Sequence, residues 1–357
     1  MPLGIVIAVG GVSDAELSEA AQVVVEEGMM APTRFALVYP ADISGGDLPR
    51  LVDARLGPGS EILVTADTPG GPACLVKGPV HGQRIVLAHG GEGSSVEVRG
   101  SDTSIAMDRE TKTAVWSDAT DSEAVAAILG AYGYVPDIEA TAARHVATKH
   151  PLVQRASDLQ FVRMLARRNG AGFWITCDPL GVETAHFRRP VTTAPASLML
   201  GINQEKPSVT EVEIEWDVET PSTAIARGIE PAARSVLTGD AMQSPLSPLG
   251  PETLDQLRPG PHSVHIAPPA DDAGDLAARA EGALIEAGWF VRARCRTSVE
   301  AAGGVVRAHS VVALSGAGSR HSGGYYVAGV RHVIDAEAHR MELTLVRNAW
   351  GSNGTGP

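Results

Sequence analysis

The alternation of apolar and polar positions is clearest over residues 154–175, where Leu159, Val162, Leu165 and Ala166 recur at helical spacing and leave Arg163, Arg167 and Arg168 for the solvent side. Ser157, followed three residues later by Gln160, supplies the residues of a capping box. Asn169-Gly170 ends the predicted helix, because glycine accepts the left-handed conformation of a helix terminus, and Phe173-Trp174-Ile175 has the composition of a buried strand. Thr120 and Glu123 open a second predicted helix. A third, alanine-rich, runs over 271–288 with Leu276, Ala280, Ala283, Leu284 and Ala287 on one side and acids in its first turn.

The rest of the chain reads mostly as strands. Runs at 5–9, 34–39, 61–65, 73–76, 84–87 and 96–99, separated by Gly, Pro and Asp turns, predict a small antiparallel barrel over residues 1–104. An α/β insertion is predicted over 105–204. Residues 209–218 alternate strictly, with Glu211, Glu213 and Glu215 opposite Val212, Ile214 and Trp216. They open a second barrel, assigned to 205–220 and 289–350, which closes with three alternating strands between Val305 and Trp350. Between its two parts, 221–288 carries Pro245, Pro248, Pro251, Pro259 and Pro261, so regular structure is not expected before the third helix. Residues 351–357 read as a polar tail. The fold class predicted is a β-rich α+β protein, two small antiparallel β-barrels with α/β insertions.

Composition narrows the function. A chain of 357 residues, 44% hydrophobic and 20% charged, is ordinary globular material of two or three domains. The apolar start 4–9 is too short for a bilayer and has no basic flank, so no membrane span and assembly in the cytoplasm are expected. A formal charge of −13 disfavours general nucleic-acid binding, leaving proteins as partners. Cys74, Cys177 and Cys295 are odd in number and far apart, which argues for three core residues rather than a disulfide.

Several passages imitate enzyme motifs. Residues 4–17 look like the opening of a dinucleotide-binding unit, but Gly10 and Gly11 are adjacent and the G-x-G-x-x-G spacing is missing. Ser315-Gly-Ala-Gly-Ser319 is followed by no Lys-Ser or Lys-Thr pair and reads as a hairpin turn. His332 with His339, and His145 with His150, lack the spacing of a zinc-protease helix and are expected at the solvent or a barrel edge. There is no G-x-S-x-G and no obvious carboxylate pair. No catalytic residue, metal ligand or cofactor is assigned. A cell-wall hydrolase, a nucleotide-dependent oxidoreductase and a carbohydrate-binding barrel remain alternatives.

The interface candidates are charged or apolar side chains at regular spacing. Arg292, Arg294 and Arg296 project from one strand face about 7 Å apart, either into solvent or toward acids of a neighbouring subunit. Glu211, Glu213 and Glu215 form an acidic strand face suited to the same role. Leu246, Leu249, Leu254 and Leu257 stand between the prolines of an expected docking arm, exposed in a lone subunit. Arg347, beside Asn348 and Trp350, reads as a strand end or part of a contact surface.

Three blocks in order carry a family resemblance: 154–175; the strands around Gly324-Tyr-Tyr-Val327, Val330-Arg-His-Val-Ile334 and Met341-Glu-Leu-Thr-Leu-Val-Arg-Asn348; and Val96-Glu-Val-Arg-Gly-Ser-Asp102 with residues 120–133. The chain resembles the tail and baseplate hub proteins of contractile injection systems, namely the phage late control D family and the hub portion of the type VI secretion spike protein. The resemblance implies a structural, non-enzymatic homotrimer whose paired barrels join a sixfold inner tube to a threefold spike. Its implied partners are the inner tube protein, a separate spike protein, since no needle sequence follows residue 350, and other baseplate components. Its implied location is a phage tail or a released tail-like particle.

Overall fold

The computed structural model describes residues 4–41, 48–89, 91–230, 233–257, 260, 262–270 and 272–352. Pro259, Pro261, residue 271 and the tail beyond 352 lie outside the described residues.

A single large sheet forms the frame. Its main path runs Val212–Trp216, Val291–Ser298, His339–Arg347, Gly323–Asp335, Gln22–Gly28, Ala31–Pro40, Ser95–Ser101, Gly71–Val86, Glu61–Thr68, Ile5–Val9 and Val12–Ser13. The path is open, and no barrel closes among the described residues. The two halves of the chain are therefore not separate sheets, as expected from the sequence. They join where Gln22–Gly28 pairs antiparallel with Gly323–Asp335, in a register that sets Val25 against His332 and Glu26 against Arg331. Each half keeps its own core. Ile7, Leu37, Val64 and Val98 belong to the first, and Val291, Val312, Leu343 and Leu345 to the second.

The seam strand Gln22–Gly28 is the element the sequence reading missed; Gln-Val-Val-Val-Glu-Glu-Gly alternates too briefly to stand out. Just before it, in place of the helix that would follow the glycine turn of a dinucleotide-binding unit, stands a 3₁₀ turn, Leu17–Glu19. The runs expected at 73–76 and 84–87 are one strand, Gly71–Val86, bent where its register shifts between Val80 and Gly82.

Two α/β units stand off this sheet. In the first, helix Asp121–Ala131 carries a complete capping box from Thr120 and Glu123. Helix Asp158–Arg168 is capped by the Ser157 hydroxyl, which accepts from the Gln160 amide at 3.3 Å. Gln160 does not complete that box; its amide nitrogen reaches Asp108 instead, at 3.0 Å. Leu159, Val162, Leu165 and Ala166 are buried with Phe161, Phe173 and Phe187. Arg168 corrects the solvent-side expectation: its Nε donates to buried Asp121 at 2.6 Å, beside His145 and Asn169.

The second unit overturns the expectation of irregular chain before the third helix. Thr223–Glu230 and Ser235–Ala241 form a hairpin, Ser263–Ile266 adds in parallel, and helix Ala273–Ala287 packs across them with Leu276, Ala280 and Leu284 inward. That helix is capped by Asp272, whose side chain accepts from the Asp275 amide. The two units touch at glycines: a Cβ on Gly282 would stand 2.8 Å from the Gly170 nitrogen, so only hydrogen fits between them.

A disulfide joins Cys74 to Cys177, with Cα atoms 5.7 Å apart and 103 residues of chain between them. It ties the first half-sheet to strand Gly172–Cys177 and contradicts the reading of three unpaired core cysteines. Sequence distance gave no cue, because the pairing is set by the fold. Cys295 is free and buried. Among the described residues no helix is long and apolar enough to cross a membrane.

Candidate interface

The sequence-predicted acids and arginines do come together, but within one chain. Strand Val212–Trp216 pairs antiparallel with Val291–Ser298, so Glu213 lies opposite Arg294 and Glu215 opposite Arg292. The adjacent strand thus sets acids beside Arg294 and Arg292 in register, with no ion pair between them among the described residues. Glu211, Glu213, Arg294 and Arg296 line a cavity of about 560 Å³, which Arg331, Glu342 and Glu26 complete.

From there a row of alternating charge crosses the seam. Successive strands set Arg296 against Glu342, Glu342 against Arg331, Arg331 against Glu26, and Glu26 against Arg34. The nitrogen–oxygen distances are 3.7 Å for Arg296 and Glu342, 3.3 Å for Arg331 and Glu342, and 3.1 Å for Arg331 and Glu26. These groups are exposed, so each pair adds at most about 1 kcal/mol. Their effect is on strand register, since a one-residue slip would set like charges together or turn them inward. Glu26, Arg331, Glu342 and Arg34 escaped the sequence reading. The signal was available only as alternation within strands whose order across the sheet the sequence did not reveal.

Behind this face lies a buried charge. Glu27, next to Glu26, points inward and accepts from Arg307 Nε at 2.6 Å and from the Ala308 amide at 3.0 Å. Burial pushes its pKa up, but Arg307 and the nearby His332 more than reverse this and hold it at about 2. His332 is fully buried and hydrogen-bonded to His339 at 3.0 Å; burial, then His332, lowers the His339 pKa to about 3. His145 is buried as well. His332 and His145 correct the expectation of solvent or edge histidines, while His339 is half-buried. The packing of the strands at the seam buries His332, and His145 is held by Asp121 at 2.8 Å within the first α/β unit.

The proline arm lies elsewhere and is not free. Leu249 is buried with Val311, Tyr326 and Val346, Leu254 packs into the second core, Leu257 lies partly against that core, and Leu246 is half-buried. Arg347, fully buried, donates to the Leu249 carbonyl at 2.8 Å and to that of Ser322 at 3.2 Å, while Asn348 accepts from the Leu249 amide at 2.9 Å. The exposure expected of these leucines in a lone subunit is therefore not found. Proline removes amide donors from the arm, and the side chains of Arg347 and Asn348 anchor it at Leu249.

One hydrogen-bonded chain has the order of a nucleophile relay. Thr176 is 2.8 Å from His186 Nε2, and His186 Nδ1 is 2.8 Å from Asp137. The cavity beside Thr176 is about 10 Å³, room for no more than about one water. The relay therefore ties three strands together and offers no substrate space there.

This architecture is the fold of phage tail proteins. It is similar to a tail protein from Neisseria meningitidis MC58, at 13% identity and a TM-score of 0.66 over 97% of both chains. It is similar also to the 43 kDa tail protein of prophage MuSo2 from Shewanella oneidensis, at 12% and 0.68 over 97% of this chain and 98% of that one. A type VI secretion component of E. coli aligns at 11% and 0.58 over 96% of this chain and 76% of its own. The chain belongs to the Alg8 N-terminal domain family, whose model matches residues 36–336. That description names no activity. No curated protein matches the chain.

Proposed function

We propose that the chain is a structural hub of a contractile tail or tail-like injection particle, a homotrimer that joins a sixfold inner tube to a threefold spike. The observation that carries this reading is the two-core frame. Two half-sheets, each wrapped on its own hydrophobic core, are stitched side by side through Gln22–Gly28 and Gly323–Asp335. Each half-sheet is taken as an open barrel. Three copies then present six comparable surfaces, which is what a threefold-to-sixfold junction requires. The sheet ends at Val212–Trp216, a strand paired on one side only among the described residues and carrying an acidic face, suited to meeting the opposite edge of the next copy. Glu211, Glu213 and Glu215 with Arg292, Arg294 and Arg296 would then set the register of that junction. The particle's tube, spike and baseplate components are the partners, and assembly is in the cytoplasm.

The test is the mass of the purified chain by light scattering, alone and mixed with the tube protein of the same particle. A trimer that co-sediments with tube rings supports the reading. A chain that stays monomeric at high concentration and ignores the tube overturns it.

A further inference from the structure

We propose that the groove between the outer face of the first half-sheet and helix Asp158–Arg168 is a docking site for an acidic polypeptide segment of another protein, held at Arg34 and Arg163. It does not depend on the assembly role proposed above, because it needs only a partner of that chemistry.

The groove measures about 860 Å³, and its lining includes Arg34, Arg84, Arg99, Arg163 and Arg331 against the carboxylates of Glu26, Glu97 and Asp108. On a chain of formal charge −13 this is a local reversal of sign. The carboxylates are already engaged. Glu97 pairs with Arg99 at 2.8 Å and Arg84 at 3.6 Å, Glu26 with Arg331 at 3.1 Å, and Asp108 accepts from Ser157 and Gln160. Arg34 and Arg163 remain without an ion pair or a side-chain hydrogen bond among the described residues. Arg34 is exposed on Ala31–Pro40, while Arg163 is half-buried with its Nε hidden from solvent and unbonded. Burial lowers the Arg163 pKa, Asp102 and Asp108 offset part of that, and the like charge of Arg34 adds to it. Asp102 is itself spent on the Thr33 and Ser104 amides. Two guanidinium groups facing one groove, one of them half-desolvated, are stabilised by an anion bridging them.

The form of the groove selects the class of anion. Its floor includes half-buried Val24, Ala36 and Val38, which give apolar contact to an extended peptide. Acids interleaved among the arginines oppose an unbroken phosphate backbone. They leave room for carboxylates spaced about 7 Å apart on alternate residues of a strand.

The experiment uses the full chain and a fluorescein-labelled peptide of alternating Glu and Gly, followed by anisotropy at low ionic strength. Thymidine oligonucleotide of equal charge serves as the rival probe. We expect peptide affinity to fall at least about tenfold in the double variant Arg34→Gln with Arg163→Gln and to be unchanged in Arg144→Gln, an exposed arginine outside the groove. Thermal melting of each variant checks folding. If Arg163→Gln does not fold, Arg34→Gln alone, on an exposed face, is expected to weaken the peptide about threefold. Unaltered peptide binding in these variants, no binding to the wild type, or an oligonucleotide that binds more tightly than the peptide would each overturn the proposal.

Discussion

The two α/β units that stand off the sheet are built to different standards. The first is packed with large side chains, Phe161, Phe173, Phe187 and Leu165 among them, and a disulfide fixes its strand Gly172–Cys177 to the frame. The second is lined chiefly by Ala224, Ala226, Ala241, Ala270 and Ala280, with Leu276 and Leu284 as its larger members. It achieves close packing by small residues: a Cβ on Gly239 would overlap the Ala277 amide nitrogen, so the helix rests directly on strand Ser235–Ala241. Large side chains gain stability from buried area, while small ones gain it from backbone approach and leave less to lose when truncated.

That contrast is tested first by matched truncations. Leu165 and Leu276 are both fully buried. Leu165→Ala should cost about 2–5 kcal/mol, and Leu276→Ala should fall at the low end of that range, because its neighbours are mainly alanines. Denaturant melts of the two variants give the comparison directly, and equal losses would remove it.

The contact between the units comes next. Gly282→Ala forces the helices apart at Gly170 and should cost about 1–3 kcal/mol. It should also loosen the bridges Arg167–Glu286, at 2.8 Å, and Arg189–Glu281, at 2.9 Å. Hydrogen exchange should then rise in Ala273–Ala287 while Asp121–Ala131 keeps its protection. Uniform loosening of both units would mean that they are one cooperative body.

A smaller effect separates neighbouring arginines. Arg168→Ala strands the Asp121 carboxylate with only His145 and Asn169 and should cost about 1–3 kcal/mol. Arg167→Ala, at an exposed pair, should stay within about 0.5 kcal/mol. The reverse order in thermal melts would mean that the helix is rotated relative to its core.

The same contrast explains what the sequence revealed. The first unit was legible because Ser157, Thr120, Glu123 and Gly170 punctuate it, and because its stripe of large apolar residues has a clear period. Within that stripe Arg168 misled, since a basic residue in the last helical turn usually faces water, and only the position of Asp121, 47 residues away, says otherwise. In the second unit the helix was legible, and its three strands were not. The strands do hold β-branched residues, Thr223, Ile225, Ile229, Val236, Thr238, Val264 and Ile266, but the prolines between the second and third of them read as a break in regular structure, and only the fold brings Ser263–Ile266 back beside Thr223–Glu230. The candidate interface was half legible. Arg292, Arg294 and Arg296 and the facing glutamates were found by period, whereas Glu26, Arg34 and Arg331 join them only through a sheet order that places residue 26 beside residue 331. The disulfide belongs to the same class of long-range fact.

The last prediction concerns how the first unit is held to the frame. Trp174 lies between two imidazole rings, with His309 stacked at 3.7 Å and 4° and His186 at 4.8 Å. Burial holds the His309 pKa down at about 3, against 6.5 for a free side chain. A depressed folded pKa means that the unfolded chain binds the proton first. The associated stability is then present above pH 6.5 and is lost as the pH falls from there toward 3. Between pH 7 and 6 the loss from this one histidine is about 0.5–1 kcal/mol. Half-buried His339, with the same direction of shift, adds to it from the seam. His309→Gln should flatten the decline by one histidine's share while leaving the contribution of His339, and Trp174 emission should lose its acid-induced change. If the pH slope of stability is the same with and without His309, the ring is not held neutral by the fold, and the first unit has no acid-sensitive tether at Trp174.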